Sequence, residues 1–458
     1  MTSASTPVQA ADPGFVAATF KKVAWRLMPI LFICYIVAFI DRVNLGFAKL
    51  QMAGDLGYSD AVYGFGAGIF FIGYFLCEVP SNLILSKVGA RVWIARIMMT
   101  WGVISAAFMF TPYMHWGHLS QALRLSDAEL TFYVLRFALG AAEAGFFPGV
   151  ILYLTYWFPA RRRASMVAVF MSAISLANVI GSPLSAGIME YFDHLHGLAG
   201  WQWLFLVEGL PSVLIGFVVL LLLPNGPHDA RWLKAEERDL IVGHLAEEHA
   251  QTAAHGGRHN LLGALRDGRL WALCLVYFCG NCALYAANFW MPTLIQEIGI
   301  NKTDLLRVGL LSMIPWGLAG VSQILWARHS DKTGERRWHA ALGMLLAMTG
   351  LIILALVGHA AIASIVGLSC ITVGIMSYNG AFWSLPTSFL SGTAAVGGIA
   401  VINSIGNLGG YIGPDLVGRI RTASGGDSQT AFWFLAGAAL LAAVIVILLP
   451  APKGRTNN

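Results

Sequence analysis

The feature that most constrains this chain is a recurrence. Apolar runs of roughly 18 to 25 residues, each bounded by a charged or Gly/Pro-rich break, appear about twelve times. They lie near 23–46, 61–85, 92–114, 129–153, 164–188, 201–223, 269–297, 305–327, 338–358, 362–386, 394–420 and 429–450. Each run is long enough, as a helix, to cross the hydrocarbon core of a bilayer, where backbone groups must find their partners inside the segment. A chain of 458 residues that is 57% hydrophobic and 12% charged has too little polar surface to enclose these runs in a water-soluble core. The expected fold is an all-α membrane protein of twelve transmembrane helices.

The basic residues give the runs an orientation. Of the 29 Lys and Arg, only Lys49, Arg124, Lys302, Arg307, Arg419 and Arg421 fall on one side of the alternating spans. Arg42 and Arg136 fall within the membrane, and the rest gather on the side of both chain ends. By the positive-inside rule both termini are expected in the cytoplasm of a multi-pass plasma (inner) membrane protein. The net charge of +5 is thus an orientation signal and gives no reason to expect nucleic acid. The first residues are polar and small, so no signal peptide is expected. The six cysteines all sit in apolar segments and form no extracellular disulfide pattern. The C-x-x-C at Cys279 to Cys282 lies inside a span without the strand context of a redox motif, and reads as helix packing.

A charged, His- and Gly-rich stretch from Pro224 to Asp267 separates six spans from six. The expected organisation is a tail over 1–22, a six-helix bundle over 23–223, a linker over 224–268, a second bundle over 269–450 and a tail over 451–458. One amphipathic helix is expected in the linker near Lys234 to His249. His244, His249, His255 and His259 lack a fixed ligand spacing, so a solvated linker is expected and no metal. The halves are weak repeats: aligning Lys87 with Lys332 also aligns Gly89 with Gly334 and Arg91 with Arg336. Two pseudo-symmetric six-helix bundles are what alternating access needs, because a site at their interface can open to either side.

Twelve spans in six plus six, with D-[RK]-x-G-x-[RK]-[RK] between the second and third spans of a half, resemble the major facilitator superfamily. The copy at Asp331, Lys332, Gly334, Arg336 and Arg337 is complete, whereas Ser86 stands where the first copy's Asp belongs. The resemblance implies cytoplasmic gating by Asp331, Lys332, Gly334, Arg336, Arg337, Lys87, Gly89 and Arg91. Within the superfamily, FIDRVNLGFA (39–48), GYFLCEVPSNLILSKVGARVWIARIMMTWG (73–102), RFALGAAEAGFFPG (136–149) and YWFPARRRA (156–164) resemble the anion:cation symporter family. Members of that family carry tartrate, sugar acids, phthalate, hydroxyphenylacetate and other carboxylates with protons or sodium. The resemblance therefore implies a small organic anion as substrate and a proton as coupling ion, sodium staying open, with no cofactor and with the bilayer as the other partner.

Depth arithmetic singles out four charges. Asp41 lies 16 residues beyond Trp25, about 24 Å into the membrane, and Arg136 lies about 9 Å below the far surface on a helix of opposite direction. The two share a depth, so an Asp41–Arg136 pair is expected, broken when Asp41 takes up a proton. Glu143 follows Arg136 by two turns on nearly the same face, among small residues, close to the midplane. A carboxylate there costs several kcal/mol unless paired or protonated, which suits a proton carrier. Arg42, whose planar fork matches a carboxylate, is expected to grip the substrate. These roles for Asp41, Arg42, Arg136 and Glu143 are also what the resemblance implies.

Tyr74, Trp383 and Asn403, with Tyr378, Asn379 and Asn407, are the expected substrate contacts. Ser384, Asn281 and Asn288 are further polar residues within spans, and the glycines of 397–413 are expected to let the eleventh span flex. Glu78 and Glu208 read as helix-end pairing, and Asp415 as a substrate or outer-gate residue. No P-loop, H-E-x-x-H or nucleophile–base pattern is present, so an enzyme is not expected. A proton-coupled importer, acting as a monomer, is the leading reading. A uniporter or exchanger of the same fold and a substrate sensor are the alternatives.

Overall fold

A computed structural model of the chain describes residues 12–254, 265–358, 360–386, 390 and 392–450. Among them, eleven helices or tandem helices are long and apolar enough to cross a bilayer, and no strand occurs. The crossings of the first half are α1 (Pro13–Leu56), α2 (Asp60–Val88), α3 (Ala90–Ala107), α4 (Asp127–Thr155), α5 (Ala160–Tyr191) and α6 (Gly200–Leu222). Those of the second are α7 (Gly268–Gln296), α8 (Leu305–Thr333), α9 (Arg337–Val357), α10 (Ala361–Phe382), α11 (392–424) and α12 (Gln429–Leu448). The twelfth crossing is α11, whose two segments are each too short to span alone.

Two crossings expected to be continuous are broken. α4 runs as Asp127–Glu143 and Phe146–Thr155, and α11 as Gly392–Asn407 and Gly409–Ser424. In α4 the break follows Glu143 directly: Ala144 leaves helical geometry at ψ 131° and Gly145 turns left-handed at φ +86°. A side chain at Gly145 would meet both this conformation and Ser81. The first helix also starts well ahead of residue 23, because Asp12 accepts a hydrogen bond from the Gly14 amide (3.2 Å) and Pro13 opens the first turn.

Packing repeats between the halves. In the first, α1 lies against α5 and α6, α2 against α4, and α3 against α6. In the second, α7 lies against α11 and α12, α8 against α10, and α9 against α12. The contacts between halves obey the same exchange: α2 packs on α11 and α5 on α8, with α1 on α7. This is the arrangement of two pseudo-symmetric six-helix bundles. Outward-facing residues such as Leu221 and Ile362, 74% and 83% exposed, are tolerable there because the surrounding solvent is lipid.

One end of the bundle, the linker face, carries the connection between halves. A helix over Ala235–Ala254 lies there, tied to α1 by Lys22 and Glu237 (2.7 Å) and to the start of α5 by the Ala160 amide and Glu248 (2.9 Å). His244 packs on Phe20, and no group of metal-ligating side chains forms among the described residues. His255, His259, the His249 side chain and the tails 1–11 and 451–458 lie outside the described residues.

Candidate functional site

Between the halves lies a cavity lined from the first by Arg42, Tyr74, Glu143 and the aromatic group Tyr35, Phe39, Phe70 and Phe71. The second contributes Tyr277, Asn281, Tyr285, Asn379, Trp383, Asn403 and Asn407. Seven expected site residues therefore meet here: Arg42, Glu143, Tyr74, Trp383, Asn379, Asn403 and Asn407. Arg42 is the one cation among the described lining residues. Its Nη2 is paired with Glu143, its Nη1 donates to the Tyr285 hydroxyl (3.2 Å), and its guanidinium lies against the rings of Phe39 and Phe70. Because the first segment of α4 ends at Glu143, the carboxylate projects from a helix break into the cavity.

The expected Asp41–Arg136 pair does not form. The Asp41 carboxylate, 2% exposed, accepts from Trp101 Nε1 (2.7 Å), Ser105 Oγ (3.1 Å) and Ser212 Oγ (2.6 Å), on α3 and α6. Arg136 donates from Nε to the Gly66 carbonyl (3.1 Å) and from Nη2 to the Ala67 carbonyl (3.0 Å), between the rings of Phe70 and Phe289. Depth along a helix says nothing of azimuth: neighbours on a helix point about 100° apart, so Arg42 facing the cavity turns Asp41 into its own bundle.

Other expectations are corrected too. Tyr378 does not line the cavity; it is 1% exposed and packs on Phe382, with Gly280 and Gly343 against it. Glu78 is no helix-end pair within its half: it accepts from Asn403 Nδ2 (2.8 Å) and Ser404 Oγ (3.1 Å) on α11, bridging the halves. Glu208 lies buried in mid-helix, where Ser185 Oγ donates to it (2.7 Å). Asn288 is buried away from the cavity, and Asp415 pairs with Arg419 (2.7 Å) one turn on.

At the face opposite the linker, a charge cluster that sequence reasoning did not assemble pins the halves together. Lys49 on α1 meets Asp60 on α2 (2.9 Å), Asp60 meets Arg421 on α11 (2.8 Å), and Arg421 meets Glu297 after α7 (2.5 Å). Trp290 lies under both cations. Beside the cluster α2 and α11 touch backbone to backbone, at Gly64 and at Gly418. Lys49, Arg421 and Arg419 had been legible only as charges of the minority side.

The model of the family described as Major Facilitator Superfamily matches residues 31–414. The chain belongs to the major facilitator superfamily. Among its relatives, a putative tartrate transporter of Agrobacterium vitis is 47% identical over 430 residues, 94% of either chain. The putative metabolite transport protein NicT of Pseudomonas putida is 41% identical over 434 residues, 95% of either chain. A crystal structure of a D-xylose-proton symporter shares the fold at a TM-score of 0.71 and 15% identity, over 94% of this chain and 99% of that one. The chain is accordingly a multi-pass membrane transporter and not an enzyme.

In this superfamily member the repeated loop motif sits on the linker face in both halves. In the complete copy Gly334 is left-handed (φ +68°), Asp331 pairs with Arg336 (2.5 Å), and Arg337 donates to the Leu449 carbonyl (3.0 Å). Burial pushes the Glu335 carboxyl up, but the Trp338 amide and His339 outweigh it and hold the group below its usual range. In the first copy Gly89 takes φ +96°, the Arg91 amide donates to Asn225 (3.0 Å) and its Nε to the Leu220 carbonyl (2.5 Å), while Lys87 is exposed, as Lys332 is.

Proposed function

We propose that the chain is a proton-coupled importer of a small organic carboxylate, with tartrate the first candidate, working as a monomer with its linker face in the cytoplasm. The observation that carries this reading is that the cavity's cation is held by a titratable anion, Arg42 by Glu143. A substrate carboxylate needs the same guanidinium, because a bidentate Arg–carboxylate contact is the strong way to hold it. Both anions cannot use it at full strength. Protonation of Glu143 discharges the competitor and leaves Arg42 to the substrate, so proton and anion favour each other's binding. Tyr285, Asn281, Asn379 and Asn407 supply hydrogen bonds for the hydroxyls of a hydroxy acid, and Trp383 with Tyr74 an aromatic wall.

Transport follows from the two ends of the interface. The Lys49–Asp60–Arg421–Glu297 cluster closes the outer face in this state, while Glu78 with Asn403 and Ser404 joins the halves nearer the cytoplasm. Rocking of the bundles would exchange one set for the other, with the Asp331–Arg336 loop and its first-half counterpart at Lys87 to Arg91 setting the cytoplasmic end. The names of the relatives support a tartrate-like acid as substrate.

The test is calorimetric binding of L-tartrate to the purified protein in buffers of different ionisation enthalpy. Net proton uptake on binding is expected near neutral pH. Glu143→Gln should bind at least as tightly with no proton uptake, and Arg42→Gln should lose binding. Tartrate binding by the wild type without proton uptake, or with a requirement for sodium, overturns the coupling.

A further inference from the structure

A second carboxylate cluster lies behind the cavity, inside the first bundle, and the reading above does not use all of it. Asp41 and Glu208 are 2% and 3% exposed. Glu208 sits one turn before Ser212 on α6, and Ser212 donates to Asp41, so the two carboxylates occupy one polar seam between α1, α3, α5 and α6. Asp41 acts electrostatically on Glu208, and Asn44, one turn after Asp41 on α1, lies against Glu208.

The donors in the seam are divided unequally. Asp41 accepts three hydrogen bonds, one from an indole N–H that can only donate, and such a set favours a carboxylate anion. Glu208 accepts from Ser185 alone, and its Oε2 has no partner. Asn44 is fully buried with both amide atoms unpartnered. Of these unpartnered atoms Glu208 Oε2 and Asn44 Oδ1 are acceptors and only Asn44 Nδ2 carries hydrogens, so a proton on Oε2 supplies the donor that Asn44 Oδ1 lacks.

The groups facing this point carry no positive charge. α3 presents Trp101 and Ser105, α5 presents Ser185, and α6 presents Ser212. Neither carboxylate has an ion pair with a cation among the described residues. The remaining charge felt by Asp41 is Glu143, itself committed to Arg42. Two adjacent buried carboxylates without a cation cannot both ionise.

We propose that Asp41 and Glu208 form a second proton-binding site, in which Glu208 carries the proton on Oε2 beside an ionised Asp41, and Asn44 accepts it. The site is distinct from Glu143, and no ion beyond the proton is needed to neutralise it. What the proton contributes to transport rests on the symport reading above; where it resides does not.

The test is infrared spectroscopy of the full chain in lipid, without substrate, following protonated-carboxyl C=O bands across pH. A band present at neutral pH in the wild type and in Glu143→Gln should vanish in Glu208→Gln. In Asp41→Asn, which removes the neighbouring charge, the band should titrate at lower pH than in the wild type. Persistence of the band in Glu208→Gln overturns the assignment, as does an unmoved or higher midpoint in Asp41→Asn. Loss of the wild-type band on adding sodium would show a sodium site instead. Because no substrate is present, these results stand apart from the tartrate binding experiment, whose failure would remove the transport reading and leave the proton site.

Discussion

Closure of the face opposite the linker depends on α2 and α11 meeting without side chains between them, and Gly64→Ala tests this directly. A Cβ at residue 64 would lie 2.6 Å from the Pro414 carbonyl oxygen, 3.1 Å from the Gly418 Cα and 3.3 Å from the Asp415 Cα. Ordinary contact begins at 3.4 Å, and every atom met is backbone, so no side chain can swing aside. The two helices must separate by several tenths of an ångström. Overpacking of this kind costs about 1–3 kcal/mol. The cost applies only while that face is closed, so the population should move toward the state open at that face by about 5- to 150-fold. Spin labels at Gln121 and Lys302, both exposed on that face in opposite halves, report the change as a gain of long distances in pulsed electron resonance. Gly54→Ala, where nothing lies within 4 Å of the new Cβ, is the control and should leave the distribution alone. An unchanged distribution in Gly64→Ala, or one equally altered in the control, refutes the idea that backbone contact closes this face.

Three further outcomes are expected. Arg42→Lys keeps the charge but loses the fork, and should raise the KM for uptake by about ten- to a hundredfold, whereas Arg42→Gln should abolish uptake. Arg136→Met removes two buried charge-assisted hydrogen bonds to the Gly66 and Ala67 carbonyls, which keep their bonds within α2, and should destabilise the protein by about 1–3 kcal/mol, read as a lower Tm, with KM nearly unchanged in the folded fraction. At the linker face, burial pushes the Glu237 carboxyl up, but Lys22 and the Lys234 amide outweigh it and hold it below its usual range. Its contribution is therefore present above the unfolded value of about 4.3 and lost as pH falls through the lower folded value. Protease cleavage of the linker helix should rise in that acidic window, and Lys22→Met should move the onset to higher pH.

The spans were legible because hydrocarbon admits so few solutions for the backbone that apolar length alone nearly decides them. The breaks after Glu143 and at Leu408 were not placed, since GAAEAG and GGYIG are also compatible with close, continuous helix packing. Arg42 and Glu143 were expected near the substrate from the depth of Glu143, the carboxylate-matching fork of Arg42 and the family resemblance. Depth also matched Asp41 with Arg136, and there it misled. Arg136 satisfies its guanidinium on two carbonyls of α2, an arrangement that leaves no trace in the sequence. The seam around Asp41 had a trace: Trp101 and Ser105 are one turn apart on α3, and Ser212 is one turn beyond Glu208 on α6. Glu78 and the Lys49–Asp60–Arg421–Glu297 cluster join segments hundreds of residues apart, and only the packing of the halves brings them together.

The central claim is that Glu143 couples a proton to the anion held by Arg42. Its most direct test is uptake of labelled L-tartrate into proteoliposomes with and without an inward proton gradient, for the wild type and Glu143→Gln, with exchange measured in parallel. The account predicts gradient-dependent accumulation by the wild type, and a variant that still exchanges tartrate but no longer concentrates it. Accumulation by the wild type that ignores the gradient, or a variant that still concentrates tartrate in response to it, would contradict the account.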